Sequence, residues 1–78
     1  MSELADAYLR DLGTLLLDRV NEARADITTK KGSSGFERGR LFGLAEAVGV
    51  MVNQAKAFEI NLKRIGLDKV DVDALTRV

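Results

Sequence analysis

The chain has 78 residues, with 12 basic and 12 acidic side chains and no histidine, cysteine, proline or tryptophan. Without histidine and cysteine it cannot form a Ser-His-Asp or Cys-His nucleophile, a disulfide or a cysteine-based metal site. We therefore expect a protein that is not an enzyme and that binds no cofactor or metal. A net charge of zero argues against nucleic-acid binding through bulk electrostatics.

At this length the chain can form one domain at most, and such a domain buries only about 60% of the surface that the unfolded chain exposes. Because disulfides are excluded, self-association is the remaining common way to stabilise so small a domain. The longest apolar runs are too short to cross a membrane, and the acidic segment Met1–Asp6 does not resemble a secretory signal. The sequence therefore predicts a cytoplasmic protein, unless it is part of an assembled particle, with no membrane partner.

The first predicted helix runs from about residue 3 to residue 28. Ser2 can cap its N-terminus, and the acidic side chains of Glu3 and Asp6 in the first turn interact favourably with the helix dipole. The β-branched residues 27–29 weaken helix formation and set the expected end. Between these limits, apolar residues recur at spacings of three and four and so fall on one stripe. They are Ala5, Leu9, Leu12, Leu16, Val20, Ala23 and Ile27.

Glycine and serine mark a predicted loop at residues 29–34, and Ser34 with Glu37 can form a capping box at the start of the next helix. Charge changes sign here: residues 1–29 hold six acids and three bases, whereas residues 30–40 hold four bases and one acid. Two interpretations stay open: a site for phosphate or an acidic partner, or a solvated turn whose charges answer the acidic first helix. The four bases are Lys30, Lys31, Arg38 and Arg40.

The second predicted helix, residues 35–65, carries the most regular pattern in the chain. Its apolar residues alternate spacings of three and four without interruption, as in the a and d positions of a coiled coil. Lys63 and Arg64 suit the last turn, and Gly66 is placed for a left-handed C-terminal cap. The heptad residues are Leu41, Leu44, Val48, Met51, Ala55, Phe58, Leu62 and Ile65.

A row of small residues four positions apart lines one face of this second helix: Gly35, Gly39, Gly43 and Ala47. Each glycine inside a helix costs about 1 kcal/mol relative to alanine, a loss that close backbone approach can offset. Either a partner's helix docks on this row, or the first helix crosses close to it near the loop. The row lies largely away from the heptad face, which is compatible with a docking surface.

Residues 66–78 form a short tail, and the predicted fold is an all-α antiparallel helical hairpin with this tail. Ala45, Ala47 and Val52 flank the heptad where a two-stranded coil favours charges, so more than two helices are expected to share the core. We therefore expect two hairpins to pair into a four-helix bundle, as a homodimer. The predicted oligomer core comprises Leu9, Leu12, Leu16, Val20, Leu41, Leu44, Val48, Met51, Ala55, Phe58 and Leu62.

Several other apolar or small residues fall outside the predicted stripes and cannot all face one seam. A contiguous set of exposed apolar residues marks an interface, so we expect a second surface that binds a protein partner. Its candidate residues are Leu17, Gly39, Phe42, Gly43, Val50 and Ile60.

Within the segment Glu37–Ala47 the chain reads Gly39-Arg40, then Gly43-Leu44, then Glu46-Ala47. This Gly-Arg-x-x-Gly-Leu-x-Glu-Ala stretch resembles one in small helical proteins encoded by tailed bacteriophages and prophages. The resemblance implies an accessory factor, either a virion or assembly component or a binder of a host protein, located in the host cytoplasm or in the virion.

The hairpin topology is also similar to that of plasmid copy-number regulators that dimerise and bind paired RNA loops, although fold does not carry function across. The alternative function is therefore a small dimeric nucleic-acid-binding regulator that uses the basic hairpin tip, Lys30, Lys31, Arg38 and Arg40. The leading prediction is a non-enzymatic protein-protein interaction module that self-associates and binds a protein partner.

Overall fold

The computed structural model describes residues 2–29 and 35–77 and shows two long antiparallel helices with a C-terminal segment that folds back onto them. Helix α1 spans Glu3–Thr29 and helix α2 spans Gly35–Ala57. The described residues contain no strand, and the molecule measures 45 × 21 × 18 Å, so the predicted all-α hairpin is confirmed. The C-terminal segment, residues 60–77, contains two short 3-10 helices, Leu62–Ile65 and Val72–Ala74.

Helix α1 begins and ends close to the predicted limits. The Ser2 hydroxyl oxygen accepts a hydrogen bond from the Ala5 amide at 3.1 Å, which satisfies one of the amides left free at a helix start. At the other end, the hydroxyls of Thr28 and Thr29 donate to the Ala25 carbonyl at 3.0 and 2.7 Å. Thr29, predicted as the first loop residue, is therefore the last residue of α1.

The rest of the predicted loop lies outside the described residues. This part contains Ser34, whose capping box with Glu37 therefore has no structural account, and the two lysines of the basic cluster, Lys30 and Lys31.

Helix α2 ends at Ala57, eight residues before the predicted end at residue 65, so that prediction is wrong. Glu59 takes a left-handed conformation with φ of 58°. The Glu59 amide donates to the Lys56 carbonyl at 3.1 Å, and the Ile60 amide donates to the Ala55 carbonyl at 2.8 Å. These are the two hydrogen bonds of a Schellman cap, here with glutamate instead of glycine in the left-handed position. The helix ends here because the chain turns back to pack on the hairpin.

The cap predicted at Gly66 is present, but it ends the first 3-10 helix instead of α2. Gly66 has φ of 72°, and the amide of Leu67 donates to the Leu62 carbonyl at 3.0 Å. At the other end of this short helix, the Asn61 side chain accepts from the Lys63 amide at 3.0 Å. Residues 61–66 thus form a short 3-10 helix that carries its own cap at each end.

The C-terminal segment gives the hairpin a third layer. Leu67, Ile65 and Leu75 are buried, with exposed fractions of 0%, 2% and 8%. Burying each such side chain fully contributes about 1.5–3 kcal/mol relative to leaving it exposed. The far end of the segment is held by Arg24, whose guanidinium donates to the Arg77 carbonyl at 2.8 Å. The tail predicted at residues 66–78 therefore supplies part of the core.

Two glycines face this segment, and one of them, Gly13, allows it to approach the helices closely. A Cβ atom at Gly13 would lie 2.5 Å from the Ile65 carbonyl oxygen, and one at Gly49 would lie 3.4 Å from Val72. Neither glycine belongs to the row singled out from the sequence. The core that results contains Val20, Ala23, Ile27, Leu41, Ala45, Val48, Val52, Ala55, Ile65, Leu67 and Leu75.

Candidate interaction surface

An apolar groove lies between α1, α2 and the start of the C-terminal segment, toward the open end of the hairpin. It has a volume of about 370 Å³. No lining residue is charged, and Gln54 is the only polar one among them. We call it the open groove. It is lined by Leu9, Leu12, Leu16, Ala47, Val50, Met51, Gln54, Ala55, Phe58, Ile60 and Ile65.

Large apolar side chains protrude beside the open groove. On α2, Val50 and Phe58 line the groove yet are 60% and 69% exposed. On α1, Tyr8 and Leu15 are 61% and 54% exposed and lie one helical turn to either side of Leu12. Isolated exposed apolar residues are normal, but a contiguous set around a groove marks an interaction site.

The predicted oligomer core divides between this groove and the interior of the single chain. Val20, Leu41 and Val48 are fully buried within the chain, and half-buried Leu44 and Leu62 pack against that core. The six that line the open groove are Leu9, Leu12, Leu16, Met51, Ala55 and Phe58.

The end of the hairpin nearest the loop is polar and carries its own ion pairs. Arg40 lies 3.2 Å from Asp26 and 3.9 Å from Glu22, and Arg19 lies 3.2 Å from Glu22. These side chains are between 34% and 57% exposed, so each pair contributes about 1 kcal/mol at most. These ion pairs favour the interpretation in which the basic residues near the loop pair with acidic residues of the first helix.

Two of the four residues of the nucleic-acid alternative can be placed. Arg38 is exposed, whereas Arg40 is half-buried and forms an ion pair with Asp26. Residues two apart on a helix point to opposite sides, so the structure does not bring these two guanidinium groups together. The other two, Lys30 and Lys31, lie outside the described residues.

The three glycines of the small-residue row on α2 do not contact α1, whereas Ala47 of the same row lines the open groove. Gly35, Gly39 and Gly43 are exposed, and an added Cβ atom at any of them would meet nothing within 4 Å. Close approach of the first helix therefore does not explain the row, and that interpretation is wrong. The glycine that does permit close approach is Gly13, which faces the backbone of the C-terminal segment.

The residues predicted to form a partner surface fall into an exposed group and a half-buried group. Gly39, Phe42, Gly43 and Val50 are exposed on α2, in agreement with a free surface. Leu17 and Ile60 instead are half-buried and pack against the core, and Ile60 also lines the open groove. The sequence could not separate the two groups, because the separation depends on where the C-terminal segment folds back.

A second, shallower pocket of about 330 Å³ lies where the C-terminal segment meets α2. It combines apolar walls with the polar side chains of Glu46, Asn53 and Thr76. The apolar walls come from Phe42, Ala45, Val50 and Val72.

Among the described residues, no group of three or more acidic side chains is placed to hold a metal ion. Neither α1 nor α2 is both long enough and apolar enough to cross a membrane. No protein-family model matches the chain, and neither a curated protein nor a solved structure is significantly similar to it.

Proposed function

We propose that this chain is a non-enzymatic protein-protein interaction module that self-associates through the open groove. The supporting observation is the uncharged apolar lining of the groove together with the exposed side chains of Tyr8, Leu15, Val50 and Phe58 beside it. Contiguous apolar surfaces of this kind are uncommon on monomeric soluble proteins and are typical of binding sites.

The composition of α2 supports the same proposal. From Leu41 to Ala55 only Glu46 is charged, so the helix is apolar or small-sided around most of its circumference. Helices that are apolar all round are found buried on all sides. In the single chain, α1 and the C-terminal segment cover part of α2 and leave the groove side open. Pairing two hairpins through this side makes a four-helix core, which is the usual arrangement for paired hairpins.

A second role is binding to another protein, through the half of α2 nearest the loop, which does not line the open groove. This half carries Phe36 and Phe42, which are 78% and 56% exposed, and the exposed glycines Gly35, Gly39 and Gly43. An accessory protein of a bacteriophage, acting on a host protein or within the virion, is the setting that the resemblance of Glu37–Ala47 implies.

The nucleic-acid alternative gains no support from the geometry. The guanidinium of Arg40 is paired with Asp26, and Arg38 lies on a different side of α2. A second function of this kind is therefore not proposed.

Two matched phenylalanines test the self-association. Phe58 lines the open groove and Phe36 does not, yet both are largely exposed in the single chain, so neither Phe58→Glu nor Phe36→Glu should disturb its fold. We expect light scattering after gel filtration to give about twice the chain mass for the unchanged protein and for Phe36→Glu, and the single-chain mass for Phe58→Glu. Circular dichroism checks that both variants keep their helix content. A folded unchanged protein with the single-chain mass at hundreds of micromolar would rule the proposal out.

A further inference from the structure

The open groove has a defined middle. Arg40 of α2 pairs with Asp26 of α1 at 3.2 Å, which fixes how the two antiparallel helices align. Fourteen residues from this pair toward the open end of the hairpin, Gln54 of α2 and Leu12 of α1 therefore lie at the same level. Both line the groove, and the other lining residues of each helix extend to either side of them.

Exposed apolar side chains flank this level symmetrically. On α1, Tyr8 lies four residues before the middle position and Leu15 three residues after it. On α2, Val50 and Phe58 lie four residues before and four residues after the middle position. A two-fold rotation about an axis through this level, perpendicular to the helices, exchanges the positions of Val50 and Phe58 and brings Tyr8 within one residue of the level of Leu15. An interface between identical copies needs this self-complementarity, with protruding groups and the groove on the same patch.

We infer that the open groove binds a second copy of this chain, antiparallel to the first, with the two-fold axis at the level of Leu12 and Gln54. Helix α1 then packs against α1 of the second copy over residues 3–21, and α2 meets α2 over residues 51–57. Phe58 of each copy lies beside Val50 of the other, so the protruding side chains of one copy fill the groove of the other. The inference rests on the self-association proposed above and adds the orientation and the register.

Gln54 sets the register in this arrangement. It is the only polar residue lining the groove, and it lies on the two-fold axis, opposite Gln54 of the second copy. A side-chain amide both donates and accepts hydrogen bonds, so two glutamines related by the axis satisfy each other. Any shift along the helices leaves these amides facing apolar side chains, which is the way one buried polar residue fixes register in coiled coils.

The charges favour the antiparallel arrangement over a parallel one. Asp26 and Arg40 lie about 21 Å from the axis along the helices, whereas α1 of the second copy ends at Glu3, about 14 Å from the axis. The ion pair therefore projects beyond the second copy and stays in water, where its side chains are 41% and 34% exposed. A parallel arrangement would press the charged ends of the two copies together, and removing charges from water is costly.

Single cysteines test this geometry cleanly, because the chain has none of its own. In Gln54→Cys the two thiols meet on the axis, so mild oxidation should link the copies. Proximity in the dimer raises the effective thiol concentration into the millimolar range, and linkage should be about a hundredfold faster than for Asn53→Cys. Asn53 is the matched control, since it neighbours Gln54 and is exposed but does not line the groove.

A second set of variants uses the exposed positions, where cysteine leaves the single chain undisturbed. Val50→Cys and Phe58→Cys should each fail to link alone, because each lies about 12 Å along the helix from its own counterpart. An equimolar mixture of the two should form the mixed disulfide, since residue 50 of one copy lies beside residue 58 of the other.

The outcomes distinguish a failure of the antiparallel arrangement from a failure of self-association itself. Rapid linkage of Gln54→Cys together with the mixed Val50/Phe58 disulfide supports the antiparallel arrangement. Linkage of a Leu12→Cys and Gln54→Cys mixture, without self-linkage of either, would show parallel copies and overturn the inference while leaving self-association intact. A folded protein that stays at the single-chain mass, with no variant linking faster than Asn53→Cys, would overturn both.

Discussion

The glycines of this chain serve different purposes, which only their surroundings reveal. At Gly13 the absent side chain lets the backbone of Ile65 approach α1, whereas at Gly43 it leaves open space. Both occupy helix interiors, so their intrinsic cost to helix formation is the same.

Substitution by alanine should therefore act in opposite directions at these two positions. Gly13→Ala places a Cβ atom 2.5 Å from a backbone oxygen and forces the C-terminal segment to move, which we expect to lower the free energy of unfolding by about 1–3 kcal/mol. Gly43→Ala should raise it by about 0.5–1 kcal/mol through helix propensity alone. Urea unfolding at one matched protein concentration measures both. Equal effects of the two substitutions would contradict the close approach of the C-terminal segment.

Glu59 occupies a backbone region that favours glycine. Its φ of 58° costs a non-glycine residue about 1–2 kcal/mol, and this strain is retained because the turn allows the chain to fold back. Glu59→Gly should relieve it and raise the midpoint of thermal unfolding, with a gain of about 1 kcal/mol in the free energy of unfolding. Glu59→Ala is the control, because it removes the same carboxylate but keeps the strain. If both substitutions changed the midpoint equally, the left-handed cap would be excluded.

At the scale of the elements, the sequence predicted the two helices but not the return of the chain. The N-terminus of α1, its stripe and the cap at Gly66 are encoded within a few residues and were predictable for that reason. The end of α2 is not marked locally, since no glycine or proline lies between Gly49 and Gly66 and the heptad spacing continues through the break. The turn is decided by contacts between distant parts of the chain, such as Leu67 against α1 at Gly13.

The C-terminal segment should accordingly be a main source of stability. Leu67 is fully buried, whereas its near neighbour Lys69 is exposed. We expect Leu67→Ala to lower the free energy of unfolding by about 2–5 kcal/mol, a large part of the total for so small a domain. Lys69→Ala should change it by less than about 0.5 kcal/mol, as is usual for surface positions. A mild effect of Leu67→Ala, similar to that of the control, would mean that the segment is not part of the folded core.

At the scale of the whole molecule, the open groove was predictable in its residues but not in its position. The apolar spacing of the two predicted helices selected Leu12, Met51 and Phe58 as residues that face other helices, and these line the groove. The same spacing selected Val48, which is buried within the single chain. Sequence alone could not separate the two groups, because the C-terminal segment covers one side of the hairpin and leaves the other open.

The polar residue at the centre of the groove provides a sensitive prediction about assembly. In Gln54→Glu, two carboxylates would face each other on the proposed two-fold axis, and like charges at such distance disfavour association. We expect the dissociation constant of the dimer to rise by about tenfold or more at neutral pH, equivalent to about 1.4 kcal/mol. The effect should diminish as the pH falls and the carboxylates become protonated. Glu46→Gln, on the outward side of α2, is the charge-changing control and should leave the constant nearly unchanged.

Self-association through the open groove is the central claim, and sedimentation equilibrium of the unchanged protein tests it most directly. Over a series of concentrations from low to high micromolar, the weight-average mass should rise from the 8.5 kDa of one chain toward twice that value. It should then level off there, because an antiparallel two-fold interface closes on itself and leaves no groove free. A mass that stays at 8.5 kDa throughout, or that continues to rise beyond the dimer, would contradict the account.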